Sequence, residues 1–199
     1  MTTIDETLRR ALSVTGKGTL YWAGAGGRDP AAASPAEPLA VGREWPRLPP
    51  DQQATLRPLA EAAGLDVTDP GLVVPACDCS GYVCWAMGIS RKASGASGDV
   101  WINTDSIWQD AQGAGRQFQA IPRATVGCLV VYPKAGSGES YGHIGLVTEV
   151  GADGQAAQIA HCSAVNFMEP PHDAIEVNAG EAFRRQPKTI YARFLGMRS

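Results

Sequence analysis

No stretch of this chain approaches the roughly 20 apolar residues that a membrane-spanning helix needs, so membrane insertion is not expected. A basic excess is missing too: 17 lysines and arginines stand against 20 aspartates and glutamates, a formal net charge of -3. Proteins that hold phosphate backbones carry basic patches, so this balance argues against nucleic acid as a partner. The opening MTTIDETLRRALSVTG lacks a basic segment followed by an apolar one and does not read as a secretory signal. The expectation is synthesis in the cytoplasm, with action elsewhere requiring delivery by other machinery or a signal already removed. Histidines are scarce, three in all. The first three of the five cysteines (Cys77, Cys79, Cys84, Cys128 and Cys162) are spaced C-x-C-x4-C, not in the paired C-x2-C pattern of zinc knuckles, and structural zinc is not expected. Five is odd, so a monomer keeps at least one free thiol; a reduced protein with a single reactive cysteine is the simplest reading.

What is present suits a packed domain. Hydrophobic residues make up 44% of 199, close to the globular average. The whole chain, 1–199, reads as one domain with a Pro/Ala-rich insertion at about 30–75 and no internal repeat. Residues 4–12 form an amphipathic helix with Ile4, Leu8, Ala11 and Leu12 on one side. The aromatic pair and glycine-rich turn of YWAGAGG follow. In the insertion the prolines forbid continuous helix or strand apart from a helix around 51–64; the segment is a functional loop or lid, or a disordered surface insertion. Beyond it, CDCSGYVCWAMGIS reads as a helix starting near Asp78 or Cys79, with Val83, Ala86 and Met87 inward. A second helix spans 103–112, capped by Thr104 or Asp105. Strand-like runs follow at VGCLVVYP, GHIGLVTEV, AAQIAHCSA and KTIYARFLG, with GADGQ as a turn. Helices first and adjacent strands afterwards predict an α+β fold with an antiparallel sheet.

Three residues carry candidate chemistry. Cys79, in D-C-S-G, stands at a helix start, where free N–H groups and the positive dipole end favour thiolate and can also hold an oxyanion. An isolated D-C-S-G is equally compatible with a buried structural cysteine. Gly81 would let a substrate backbone approach. His143, flanked by glycines at a strand start, alternates onto the face of Gly145 and Val147, and an imidazole there can take and return the thiol proton. Alone it would be a surface histidine. His161 lies one hairpin later and could orient His143 from the next strand; Asn166 or Gln158 are alternatives for that role.

In this order, YWAGAGG at 21–27, DCSGY at 78–82, GCLVVY at 127–132, GHIGLV at 142–147 and then His161 resemble the NlpC-type (NlpC/p-sixty) cell-wall cysteine peptidases. The likeness covers residues 1–29 and 76–165. It implies a papain-like α+β fold, with the nucleophile helix packed on an antiparallel β-sheet. It implies Cys79 as nucleophile, His143 as base and His161 as orienting residue. Tyr21, with Trp22 as a substitute, would line the site near the oxyanion, and Asp78 and Ser80 would hold the substrate's amine or backbone. The implied substrates are peptidoglycan stem peptides, cut next to D-glutamate and the diamino acid, and no metal or organic cofactor is needed. The chain departs from the family at Cys128, where an aspartate is usual, and in the insertion between Tyr21 and Cys79, which would shape the substrate groove. A wall hydrolase without an export signal would act in the periplasm or cell wall of a target cell as an antibacterial effector, with an immunity protein as partner. The alternatives are a phage endolysin, or an acyltransferase or transglutaminase sharing the acyl-enzyme. Of the remaining cysteines, Cys84 and Cys162 are expected in the core. His172 is expected to be solvated.

Overall fold

The computed structural model describes residues 2–95 and 98–198. Its centre is a six-stranded sheet in which every pairing is antiparallel. In chain order the strands of the whole molecule are β1 (Leu20–Tyr21), β2 (Glu37–Leu39), β3 (Val74–Cys77), β4 (Lys92–Gly95), β5 (Gly98–Trp101), β6 (Phe118–Ile121), β7 (Leu129–Tyr132), β8 (His143–Val150), β9 (Ala156–Cys162), β10 (Ile175–Ala179) and β11 (Ile190–Phe194). The large sheet has the order β10-β9-β8-β7-β11-β6, so the four strand-like runs of the sequence sit side by side in its middle. The two outer strands, β6 and β10, escape the sequence reading because each is a short segment with exposed polar positions.

Strand alternation gives the sheet two apolar faces. Leu129, Val131, Ile144, Leu146 and Ala160 belong to the main core, which also holds the helix α4 (Cys79–Ala86). Cys128, Val130, Val147 and Ile159 face the other way, into a smaller cluster with Phe183 from the short helix α7 (Glu181–Arg184). All eight residues of α4 are buried. Its apolar faces therefore go all round, which is why it has no polar stripe to read. The remaining helices are α1 (Ile4–Ser13), α2 (Val41–Glu44), α3 (Pro50–Ala62), α5 (Thr104–Gln112) and α6 (Ala164–Met168).

Two local expectations change. Leu12, expected on the buried side of α1, is 44% exposed, and Thr7 and Ala11 make the contact instead. Helix α5 is capped by Asn103, not by Thr104 or Asp105: its side chain accepts from the Ser106 N–H while the Ser106 hydroxyl accepts from the Asn103 N–H. Asn103 was one residue upstream of the polar pair that drew attention.

The 30–75 segment is folded. It holds β2, α2, a 3-10 turn (Trp45–Arg47), α3 and the first half of β3, and it sends Val41, Trp45, Leu56, Leu59 and Ala60 into the main core. The Trp45 ring lies 6.2 Å from that of Trp22. The prolines do break the segment into short pieces, yet α3 runs through Pro58. Pro50 sits in its first turn, where the missing N–H costs nothing. Burial of Leu56, Leu59 and Ala60 on one face offsets the single helical bond lost at Pro58.

The insertion also fails to separate Tyr21 from the start of α4. Strand β1 pairs in parallel with β3, placing Tyr21 opposite Cys77, and β2 completes a three-stranded sheet on the other side of β3.

Candidate active site

The site begins at the start of α4. Asp78 is its N-cap and is 6% exposed. One carboxylate oxygen accepts from the Gly81 N–H (2.8 Å) and the Ser80 hydroxyl (3.1 Å); the other accepts from the Gly24 N–H (2.7 Å) and the Arg91 guanidinium (2.6 Å). That uses the four acceptor positions of a carboxylate. Arg91, 2% exposed, also donates to the Ser80 hydroxyl and to the carbonyls of Ala25, Gly26 and Ile102. Asp78 and Ser80, expected to hold the substrate's amine, are thus bound into a buried unit with Arg91. They reach the cleft wall with their polar atoms already engaged. A buried pair of this kind is tolerated because each charge is fully hydrogen-bonded. Arg91 was not singled out in the sequence; one arginine in GISRKA gives no signal until its partner is known.

Gly81 has a different role from the one expected. A Cβ there would lie 2.7 Å from the Gly26 carbonyl oxygen, and one on Gly27 would lie 2.2 Å from that of Gly81. The helix and the YWAGAGG turn are packed backbone to backbone. Gly26 and Gly27 also hold φ of 77° and 71°, which side-chain-bearing residues avoid. Gly26, Gly27 and Gly81 thus lock the turn against α4; the substrate has no part in that contact.

Cys79 is buried where the start of α4 meets β8, close to the backbone N–H groups of Ile144 and Ser80. Burial pushes the thiol up, and the Asp78 charge adds to this; Arg91 and the two N–H groups pull the other way without overcoming it. The resting group is a neutral thiol.

His143 opens β8, one residue before Ile144, and its ring packs on Phe183; among the described residues no hydrogen bond joins it to Cys79. Its Nε2 lies 2.8 Å from Nδ1 of His161, and Nε2 of His161 lies 2.7 Å from Oδ1 of Asn178 on β10. Asn178 turns its amide nitrogen to Glu176 (3.4 Å), which leaves its oxygen to accept. The protons then follow in order. An accepting Asn178 oxygen puts a proton on Nε2 of His161. A neutral His161 therefore has a bare Nδ1, which accepts from Nε2–H of His143. A neutral His143 is left with a bare Nδ1, the form a general base requires. Desolvation favours the neutral form of both rings: half-buried His143 is lowered well below the usual range, with His161 adding a smaller effect, and buried His161 is lowered to about 4. Phe183 contributes to that burial, stacking on His143 at 5.0 Å and meeting His161 edge-on at 5.4 Å.

Gly145 makes the histidine contact feasible. A Cβ there would lie 2.4 Å from Ile159 Cγ2 and 3.1 Å from His161 Cβ, so the bare backbone opens the space beside His143. Asn166, weighed as an orienter, donates to the carbonyls of His161 and Ala174 and does not touch the ring. Asn178 was missed because β10 was missed.

Residues 70–163 match the CHAP domain family. No curated protein and no solved structure matches the chain. CHAP domains are cysteine/histidine-dependent amidohydrolases/peptidases, related to the NlpC-type and other papain-like peptidases but not specifically NlpC. The CHAP match spans β3 to the end of β9 and so includes Cys79, His143 and His161, while Tyr21 and Asn178 lie outside it. The α+β architecture with its antiparallel sheet agrees with the papain-like fold of CHAP domains.

The remaining predicted residues fall around the same centre. Tyr21 is half-buried and lines the same cavity as Cys79; desolvation of its hydroxyl first, with the Asp78 charge adding to it, raises that group well above its usual range and keeps it protonated. Trp22, 5% exposed, packs against Trp45 and reaches one side of the cleft. The missing aspartate at Cys128 is replaced by backbone: Gly127 donates to the Val147 carbonyl, Val147 to that of Cys128, and the Cys128 sulfur accepts from Thr125 at 3.4 Å. Cys84 and Cys162 are buried in the core, as read. His172 is half-buried, bonded to the Phe167 carbonyl at 2.9 Å.

Proposed function

We propose that this chain is a peptidoglycan hydrolase, a cysteine endopeptidase or amidase that cuts stem peptides next to D-glutamate and the diamino acid. The observation that carries the reading is the Asn178–His161–His143 chain, which leaves a bare imidazole nitrogen on a ring lining the cavity that adjoins the one lined by Cys79. The CHAP match supports peptidoglycan as the substrate class.

The chemistry follows from the resting state. The thiol and the imidazole are both neutral, so His143 Nδ1 removes the thiol proton as sulfur attacks the scissile carbonyl carbon. The C=O electron pair moves to oxygen. That oxyanion is met by N–H groups at the start of α4 and by the Tyr21 hydroxyl, a donor held in its protonated form. As the tetrahedral species collapses, the C–N bond breaks, and the protonated His143 passes its proton to the leaving amine. Water then repeats the sequence on the thioester, with His143 again as base, releasing the carboxylic acid and the free thiol. His161 and Asn178 keep Nε2 of His143 protonated throughout. Delivery into the wall of a target cell, with an immunity protein protecting the producer, is the biological setting proposed.

Digestion of purified peptidoglycan by wild type and Cys79→Ala, with mass spectrometry of soluble products, tests the reading. Fragments from the wild type alone support it and their masses name the bond. Absence of fragments from several wall chemotypes overturns the substrate assignment.

A further inference from the structure

The cleft has two chambers, and they differ in chemistry. Both are lined by Tyr21, Ala23, Tyr141 and Gly142, which form their common boundary. One chamber, about 240 Å³, contains Cys79 and the charged groups Asp78, Arg91, Asp105 and Lys134. The other, about 230 Å³, contains His143 and has mainly apolar walls. Its far side comes from the 30–75 segment: Leu48 before α3, then Gln52, Thr55 and Leu56 on the helix.

The chambers can be assigned by mechanism. The acyl carbon bonds to sulfur, so the acyl portion occupies the Cys79 chamber. The leaving nitrogen takes its proton from His143, so the residue carrying that nitrogen occupies the His143 chamber. Among the described residues, no lysine or arginine lines this second chamber, and the His143 imidazole in its wall is shifted toward its neutral form. Glu139 is the single charged side chain in its wall. Gln186 engages one carboxylate oxygen of Glu139 at 2.7 Å, and the charge also reaches the Tyr132 hydroxyl, whose affinity for its proton rises through burial first and Glu139 second.

Apolar walls ending at one carboxylate suit an aliphatic side chain with an ammonium tip. A side chain that ends in an additional carboxylate meets like charge there, with no cation to receive it. Resting on the peptidase reading above, we infer that the insertion builds a leaving-residue subsite selective for a lysine-type diamino acid over one bearing a further carboxylate, as diaminopimelate does.

The test compares two synthetic tripeptides, L-Ala-γ-D-Glu-L-Lys and L-Ala-γ-D-Glu-meso-diaminopimelate, by kcat/KM. The lysine peptide should be cleaved about two- to fivefold faster, the scale expected of one exposed charge contact. Glu139→Gln should remove most of that preference by lowering turnover of the lysine peptide. Thr55→Trp, a change at an exposed helix position, should fill the chamber and cut cleavage of both peptides. A urea-unfolding midpoint close to that of the wild type would show an intact fold in that variant. Equal rates for the two peptides, a preference for diaminopimelate, or a Thr55→Trp enzyme that cleaves normally would overturn the subsite while leaving the peptidase reading in place. Cleavage of neither peptide by the wild type, together with no fragments from whole peptidoglycan, would remove both.

Discussion

At the scale of single residues, the protonation states decide what Cys79 and His143 can do. A neutral thiol beside a neutral imidazole reacts through coupled proton transfer, whereas a preformed ion pair would react as a standing thiolate. Alkylation of Cys79 by iodoacetamide, followed by peptide mapping, should therefore be slow near neutral pH and climb steadily into the alkaline range. A fast plateau extending down to acid pH would show an ion pair instead. Asn178 acts through His161, as a positioning residue. Asn178→Ala frees Nε2 of His161 from its acceptor, allowing the ring's proton to move to Nδ1 and oppose the proton of His143. The expected result is a fall in kcat of about 10–100-fold, typical of losing an outer partner that orients a functional histidine, with KM little changed. Asn178→Asp keeps an acceptor at that atom and should restore much of the rate, with the acid limb of the pH profile shifted upward because the new charge favours protonated His161.

At the scale of elements, the site exists because four pieces meet with little side-chain volume between them: the YWAGAGG turn, the start of α4, the first residues of β8 and the end of β9. Gly145 is the clearest case. Gly145→Ala inserts a methyl group against Ile159 and His161, so β8 and β9 must part or the His161 ring must turn. Overpacking of a tight site costs about 1–3 kcal/mol, which urea unfolding would read as a lower midpoint. Hydrolysis should fall further than stability alone accounts for, since the 2.8 Å contact between the histidines is lost. Unchanged activity in a destabilised Gly145→Ala protein would show that the contact is dispensable.

At the scale of the molecule, burying a neutral His161 behind a half-buried His143 makes the fold sensitive to acid. An unfolded histidine titrates near 6.5, while His161 in the folded chain titrates at about 4 and His143 is lowered in the same direction. Between those values the unfolded chain binds protons that the native one refuses, so stability is full above pH 6.5 and falls as the pH drops toward 4. For His161 alone the loss amounts to ~3 kcal/mol. The melting temperature should decline across that window, and His161→Gln should flatten the decline. A melting temperature independent of pH from 7 to 4 would contradict the buried, neutral assignment.

Much of this was legible in the chain itself. The alternation in VGCLVVY, GHIGLV and AAQIAH marked three central strands, and D-C-S-G followed by G-H-I-G placed a thiol on a helix before a histidine on a strand, because backbone periodicity and capping are local properties. Local pattern could not reveal Arg91, Asn178 or Phe183, whose roles depend on partners 13, 17 and 40 positions away. Nor could it show that Asp78 and Ser80 are already engaged, or that the proline-rich segment is a folded wall of the cleft. Parallel pairing of β1 with β3 returns Tyr21 to the site across the whole insertion. Composition and short-range spacing thus determined the fold class and the order of the reactive groups. Tertiary packing decided which polar atoms remain free, since that depends on which buried donors and acceptors have found each other.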